Sequence, residues 1–216
     1  MKKYDYIFFD LDGTISDSAP GIVNSVIYSL NRMGTEIKDR EQLKKFVGPP
    51  LAESFSKYYG YTPEEAGQAA KFFREYYQEK GIFENSMYKG VDLLLDKLLC
   101  AGRVPVLATS KPESFAKKIL LRYGIDRYFH FIAGSTLDET RTKKEEVIAY
   151  ALESCEIKDK SKVVMIGDRS HDVVGAKKNG LDCIGVLYGY GSREELEGEG
   201  ALCIAETIND LERILI

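Results

Sequence analysis

Two aspartates one residue apart, Asp10 and Asp12, stand in Phe8-Phe9-Asp10-Leu11-Asp12-Gly13-Thr14, directly after an apolar and aromatic run over residues 4–9. The run reads as a buried strand, and the acidic, glycine-containing segment as the loop at its C-terminal end. Open parallel sheets bind ligands in the crevice outside the carboxyl ends of their strands, so polar residues after other apolar runs become candidate companions. Thr109 and Ser110 follow the run 104–108, and Asp168, with Asp172 four residues on, follows the run 163–166. Lys143 and Lys144 lie in a loop-to-helix segment ahead of that last run.

Carboxylates gathered in one crevice raise each other's pKa unless a divalent cation holds them ionised. An oxygen-only donor set suits magnesium, which keeps several waters and takes one or two carboxylates plus substrate phosphate oxygens. That matches Asp10 and Asp168 as direct ligands and the backbone carbonyl of Asp12 as a third, with Asp172 orienting metal-bound water. Singly, each residue has a bland reading. Asp12 before Gly13 suits a turn or helix cap, Asp172 a solvated helix position, Thr109 a β-former and Lys144 a surface charge. Joint placement carries the functional reading.

Other chemistries have little to work with. The two histidines are His130, expected to close the third strand, and His171, expected as an exposed helix-start residue. There is no G-x-S-x-G elbow, HExxH pair or phosphate-binding G-x-x-x-x-G-K loop. Gly189-Tyr190-Gly191-Ser192 lacks the third glycine of a dinucleotide fingerprint, because Glu194 stands there, and reads as a loop.

The elements that must position these residues follow from pattern. Short β-rich runs at 104–108, 129–133, 163–166 and 183–186 alternate with amphipathic helix-length segments, which predicts a parallel sheet with helices on both faces. Residues 18–86 hold no convincing strand and look entirely helical. Ile22, Val26, Ile27 and Leu30, then Phe72, Phe73, Tyr76 and Tyr77, recur at helical spacing, with breaks at Gly34, Gly48-Pro49-Pro50, Gly60 and Thr62-Pro63. A block that long is a candidate inserted domain with junctions near 16–20 and 85–90. Within it, Lys44, Lys45 and Lys57 either approach an anionic substrate or lie on solvated helix faces.

Composition agrees with a soluble globular protein: 216 residues, 44% hydrophobic, 30% charged, and no low-complexity tract. The net charge is -4 with lysines and arginines scattered among glutamates, which argues against duplex nucleic acid as a partner. Cys100, Cys155, Cys183 and Cys203 form no CxxC pair and are expected as reduced core residues. The apolar run at the N-terminus is too short for a signal peptide or membrane span, so the default location is cytoplasmic.

On these motifs the sequence resembles the haloacid-dehalogenase superfamily along nearly its whole length. The family's first motif appears as Asp10 to Thr14, its second as Thr109, its third as a lysine ahead of a helix, and its fourth as Gly167-Asp168-Arg169-Ser170-His171-Asp172. Lys144 suits the third motif through the register of Val147-Ile148 and Ala151-Leu152; Lys143 is the alternative, and no proline follows either as it often does in relatives. Asp17-Ser18-Ala19-Pro20-Gly21-Ile22, Val47-Gly48-Pro49-Pro50-Leu51 and Gly185-Val186-Leu187-Tyr188-Gly189-Tyr190-Gly191 are similar to the phosphoglycolate-phosphatase-like branch, particularly its bacterial 5'-nucleotidase-like members.

The resemblance implies a Rossmann-like α/β core over 1–17 and 87–216 with a small helical cap over 18–86. It implies a magnesium-dependent phosphatase acting on a small phosphate ester. Asp10 would be the nucleophile and Asp12 the acid and then base, while Lys144, the Thr109 hydroxyl and the Ser110 amide would cradle the phosphate. Phosphosugar mutase-type transfer and a non-catalytic binding role on the same fold are the rivals; dehalogenation, which needs neither Asp12 nor magnesium, is disfavoured. A monomer or weak homodimer is the expected state.

Overall fold

The computed structural model describes residues 4–37, 39–138 and 140–216. The chain begins with β1 (Tyr6–Phe9), β2 (Ser16–Asp17), α1 (Ala19–Arg32), α2 (Leu51–Tyr59), α3 (Pro63–Glu79) and β3 (Ser86–Met87). It continues through α4 (Val91–Cys100), β4 (Val104–Pro112), α5 (Glu113–Tyr123), β5 (Phe131–Ser135) and α6 (Lys144–Ser154). Then come β6 (Val163–Gly167), α7 (Ser170–Lys178), β7 (Asp182–Val186), α8 (Arg193–Gly198), β8 (Cys203–Ala205) and α9 (Ile208–Leu215). Two compact units result: the chain up to Ser16 with Met87–Ile216, and Asp17–Ser86.

In the first unit a six-stranded sheet runs in the order β5-β4-β1-β6-β7-β8, with every pairing parallel. Strands of such a sheet are covered on both faces and therefore read as near-continuous apolar runs. Val163–Gly167 is buried throughout, and Ile7, Phe8 and Phe9 are buried beside it. Phe8, Val106, Met165, Val147, Ile148, Ala151 and Val173 form part of one core between the sheet and helices α6 and α7.

Register explains why the polar residues emerge together. Phe9 of the central strand pairs with Leu107 on one side and Ile166 on the other, so Asp10, Thr109 and Asp168 all follow, within two residues, the last rungs that the central strand makes. Asp10 remains tied to this row, its N–H donating to the Ile166 carbonyl at 2.9 Å.

The unit Asp17–Ser86 is built differently. Its core includes Leu30, Leu43, Phe46, Phe55, Phe73 and Tyr77, and Phe46 meets Phe55 at a centroid distance of 4.9 Å. α3 starts at a capping box in which Thr62 Oγ1 accepts from the Glu65 N–H and Glu65 Oε2 accepts from the Thr62 N–H, with Pro63 next in the chain. Its small face, Ala66, Ala69 and Ala70, lets α1 approach closely enough for Ser29 Oγ to donate to the Ala69 carbonyl at 2.7 Å. Lys44 pairs with Glu41, and Lys45 and Lys57 lie over the Tyr58 ring.

Several sequence expectations are corrected. The third strand runs Phe131–Ser135, so His130 precedes it instead of closing it, and Phe129 packs edge-on against Phe9 at 6.4 Å. The second strand continues to Pro112 through an irregularity against β5 between Ala108 and Pro112. The short strand Cys203–Ala205 went unread, because three residues with no alternation give too little pattern. Residues 18–86 are not wholly helical, since Ser86 belongs to a two-residue strand and Glu41–Phe46 forms a 3-10 helix. The cysteines are free thiols, yet only Cys183 is buried, while Cys100 is exposed and Cys155 and Cys203 are half-buried. His171 is exposed in the first turn of α7, as expected. No helix among the described residues is long and apolar enough to cross a membrane.

Candidate active site

Asp10 follows β1, Asp168 follows β6 and Asp172 lies in the first turn of α7, so two strand ends and a helix start deliver three carboxylates to one point. One carboxylate oxygen from each of Asp10, Asp168 and Asp172 lies within 4.8 Å of the others, and all three residues are buried. The local geometry is held by backbone donors. Asp172 Oδ2 accepts from the Arg169 N–H at 3.1 Å, and Asp168 Oδ2 accepts from the Tyr190 N–H at 2.7 Å. Asp168 Oδ1 is buried and has no hydrogen-bond partner among the described residues.

Lys144 opens α6, anchored by Val147, Ile148, Ala151 and Leu152 in the core, and its side chain is buried. Its ammonium contacts Asp10 Oδ1 at 2.7 Å and Asp172 Oδ1 at 2.8 Å, and donates to the Ala108 carbonyl at 3.1 Å. Lys143 is exposed and stands one residue before the helix, so of the two lysines it is Lys144 that reaches the carboxylates.

Thr109 is buried, and its hydroxyl oxygen accepts from the Lys111 N–H at 3.2 Å, which leaves its own proton free to donate. Ser110, next to it, is half-buried. The Asp12 carboxylate stands apart from the acidic trio and meets the buried Lys111 ammonium, 2.7 Å from Asp12 Oδ2.

Two glycines leave room for Asp168. Gly13 has φ +83, and a Cβ there or at Gly189 would collide with Asp168 Oδ2. The glycine-dense segment read only as a loop is therefore a wall of the site.

Electrostatically the cluster is short of positive charge. Burial pushes the Asp168 carboxyl well above the usual carboxylate range and Asp172's charge adds to this, while the Tyr190 amide draws it back. Burial also raises Asp172, against the pull of Lys144. Burial opposes a charge on Lys144, but Asp10 and Asp172 together outweigh it and raise its pKa. Three buried carboxylates with a bare oxygen on Asp168 and one shared lysine form an oxygen-only donor set that fits a hard divalent cation.

Two residues of the site escaped the sequence reading. Lys111 follows Thr109-Ser110, and no pattern in the sequence marks it. Glu195 binds the Ser170 N–H at 2.7 Å and Arg169 Nε at 3.0 Å, which fixes the start of α7; the signal was Ser192 three residues ahead of it, a helix-cap spacing.

A parallel sheet with helices, carrying acidic residues at the C-terminal ends of two adjacent strands and a lysine from the helix that precedes one of them, is a Rossmann-like α/β fold with its polar cluster where such sheets bind ligands. The chain belongs to the haloacid dehalogenase-like hydrolase family, which it matches over residues 7–186. It is 44% identical over 194 residues to a Pseudomonas aeruginosa protein named 5'-nucleotidase, covering 90% of this chain and 87% of that one. A Mycobacterium tuberculosis protein named tyrosine-protein kinase PtkA is 38% identical over 211 residues, covering 97% of this chain and 72% of its own. A crystal structure of a Clostridium acetobutylicum protein, described as a predicted phosphatase, has a TM-score of 0.95 at 47% identity, covering 99% of this chain and 98% of that one. By family the chain is an enzyme of the phosphatase type.

Proposed function

We propose that the chain hydrolyses small phosphomonoesters with magnesium, through a phosphorylated Asp10. The observation that carries this reading is the meeting of Asp10, Asp168 and Asp172 around Lys144 at the C-terminal ends of adjacent strands. Asp10, Asp168 and the backbone carbonyl of Asp12 would hold the ion, with Asp172 behind them. Bound there, magnesium offsets charge on the phosphoryl oxygens and keeps the carboxylates ionised.

In the first half-reaction an Asp10 carboxylate oxygen attacks phosphorus in line, the bond from phosphorus to the leaving oxygen breaks, and Asp12 gives that oxygen a proton. In the second, water attacks phosphorus, Asp12 takes its proton, and the Asp10–phosphorus bond breaks to release phosphate. Lys144 holds Asp10 in place and stabilises the equatorial charge, while the Thr109 hydroxyl and the Ser110 N–H donate to the same oxygens. The unit Asp17–Ser86 would act as a specificity cap over compact substrates, such as 5'-mononucleotides or phosphoglycolate. The setting we assign is the cytoplasm, with the chain a monomer or weak homodimer.

The test is phosphate release from a panel of 5'-mononucleotides, phosphoglycolate and sugar phosphates, with magnesium and with EDTA. Turnover that persists in excess EDTA, or in Asp10→Asn, would overturn the reading. A second reading, transfer of the phosphoryl group to another hydroxyl, draws support from the relative named as a tyrosine kinase. Product analysis separates the two, since it yields a new phosphate ester in place of inorganic phosphate.

A further inference from the structure

Lys111 is a buried charged residue of the site for which the sequence motifs gave no task. It sits in the irregular final stretch of β4, and its side chain is only 5% exposed. A lysine this deep costs desolvation and side-chain entropy, so its partner is informative. The ammonium lies 2.7 Å from Asp12 Oδ2. Asp12 Oδ1, also buried, has no hydrogen-bond partner among the described residues. Two lysines thus divide two aspartates: Lys144 engages Asp10, and Lys111 engages Asp12.

A carboxylate pinned by one oxygen to a fixed cation presents the other in a fixed direction. On the phosphomonoesterase reading above, we infer that Lys111 is a positioning residue for proton transfer. It holds Asp12 by Oδ2, so that Oδ1 is the atom that hands a proton to the leaving oxygen and later takes one from water. In the forward step the Oδ1–H bond breaks as the bond from hydrogen to the leaving oxygen forms and Asp10 displaces that oxygen from phosphorus. In the return step a water O–H bond breaks toward Oδ1 as the water oxygen bonds phosphorus and Asp10 leaves. The strand irregularity before Pro112 fits this role, because bulges re-aim side chains beside active sites.

The experiment compares Lys111→Met and wild type, with magnesium, on an alkyl phosphate and on 2,4-dinitrophenyl phosphate in single turnover. The dinitrophenolate leaves without a proton, whereas the alkoxide needs one. Lys111→Met should lower the alkyl rate about 100-fold or more and dinitrophenolate release by at most about tenfold, with KM little changed. Added to Asp12→Asn, it should cost nothing further on the alkyl ester, because both changes act through one carboxylate. Lys111→Arg, which keeps the charge, should recover part of the alkyl rate and covers the case in which the methionine variant does not fold. Equal losses on the two esters, a further loss in the Asp12→Asn background, an effect confined to KM, or no recovery by arginine would each overturn the assignment. Wild-type protein inert on both esters would remove the phosphomonoesterase reading itself, and this inference with it.

Discussion

The sheet unit and the helical unit solve the same packing problem with opposite materials. The sheet unit buries Asp10, Asp12, Lys111, Lys144, Asp168 and Asp172 where its strands end. The helical unit buries aromatic rings and small side chains, its buried polar residues among those described are serines, and pairs such as Arg32–Glu75 and Lys44–Glu41 stay in solvent. Buried charges are costly unless paired, and surface pairs are worth little, so the first arrangement persists for chemistry and the second for shape. The lesson is one of division: reactivity and architecture are separable here, and single substitutions can separate them.

The sharpest break is at the proposed nucleophile. Asp10→Asn should lower phosphate release by roughly 10,000-fold or more, as removal of a covalent nucleophile does, while the protein stays folded by circular dichroism. Next comes Lys144→Met, which strands two buried carboxylates and should cost about 3–5 kcal/mol in urea denaturation without metal. Magnesium should recover part of that loss. Phe55→Ala in the helical unit should cost a similar amount, about 3–5 kcal/mol, by leaving a cavity beside Phe46 and Tyr61. Its magnesium affinity by calorimetry should match wild type, and a large drop would mean that the two units are not separable in this way.

The smallest expected effect concerns pH. A carboxyl whose pKa is raised on folding binds more protons in the native than in the unfolded state, so it removes stability as pH rises from the ordinary carboxylate value through the raised one. Asp168 and Asp172 both have raised values in the folded chain. The metal-free protein should therefore lose stability from these groups above about pH 4, the unfolded carboxylate value. Magnesium should raise Tm more at pH 8 than at pH 5. An equal gain at both pH values would show that the acidic trio is not the ion's site.

Much of the sheet unit was legible because parallel strands write themselves as unbroken apolar runs, and the residue after each run is positioned by register. Asp10, Thr109 and Asp168 could be found that way. Lys144 was separable from Lys143 because a helix buries one face, and Val147, Ile148, Ala151 and Leu152 mark which face that is. Lys111 was not legible, since the extension of β4 and its irregularity depend on pairing with β5, which residue types near 111 do not encode. Nor was the Tyr190 N–H on Asp168, because every residue except proline carries that donor and only the loop's path aims it. In the helical unit the periodicity gave α1 and α3, whereas the 3-10 turn at Glu41–Phe46 has no pattern of its own.

The strand order also sets a timetable. The central strand is among the first segments made, yet its neighbours begin at Val104 and Val163 of 216 residues, so on a ribosome one edge waits for about half of the polypeptide and the other for about three-quarters of it. Contacts within Asp17–Ser86 close over far shorter stretches, and segments with short loops to close condense sooner. The inserted helices are thus free to fold while the sheet is still incomplete, and the strand ends that carry Asp10 and Asp168 come together only once β6 has been made.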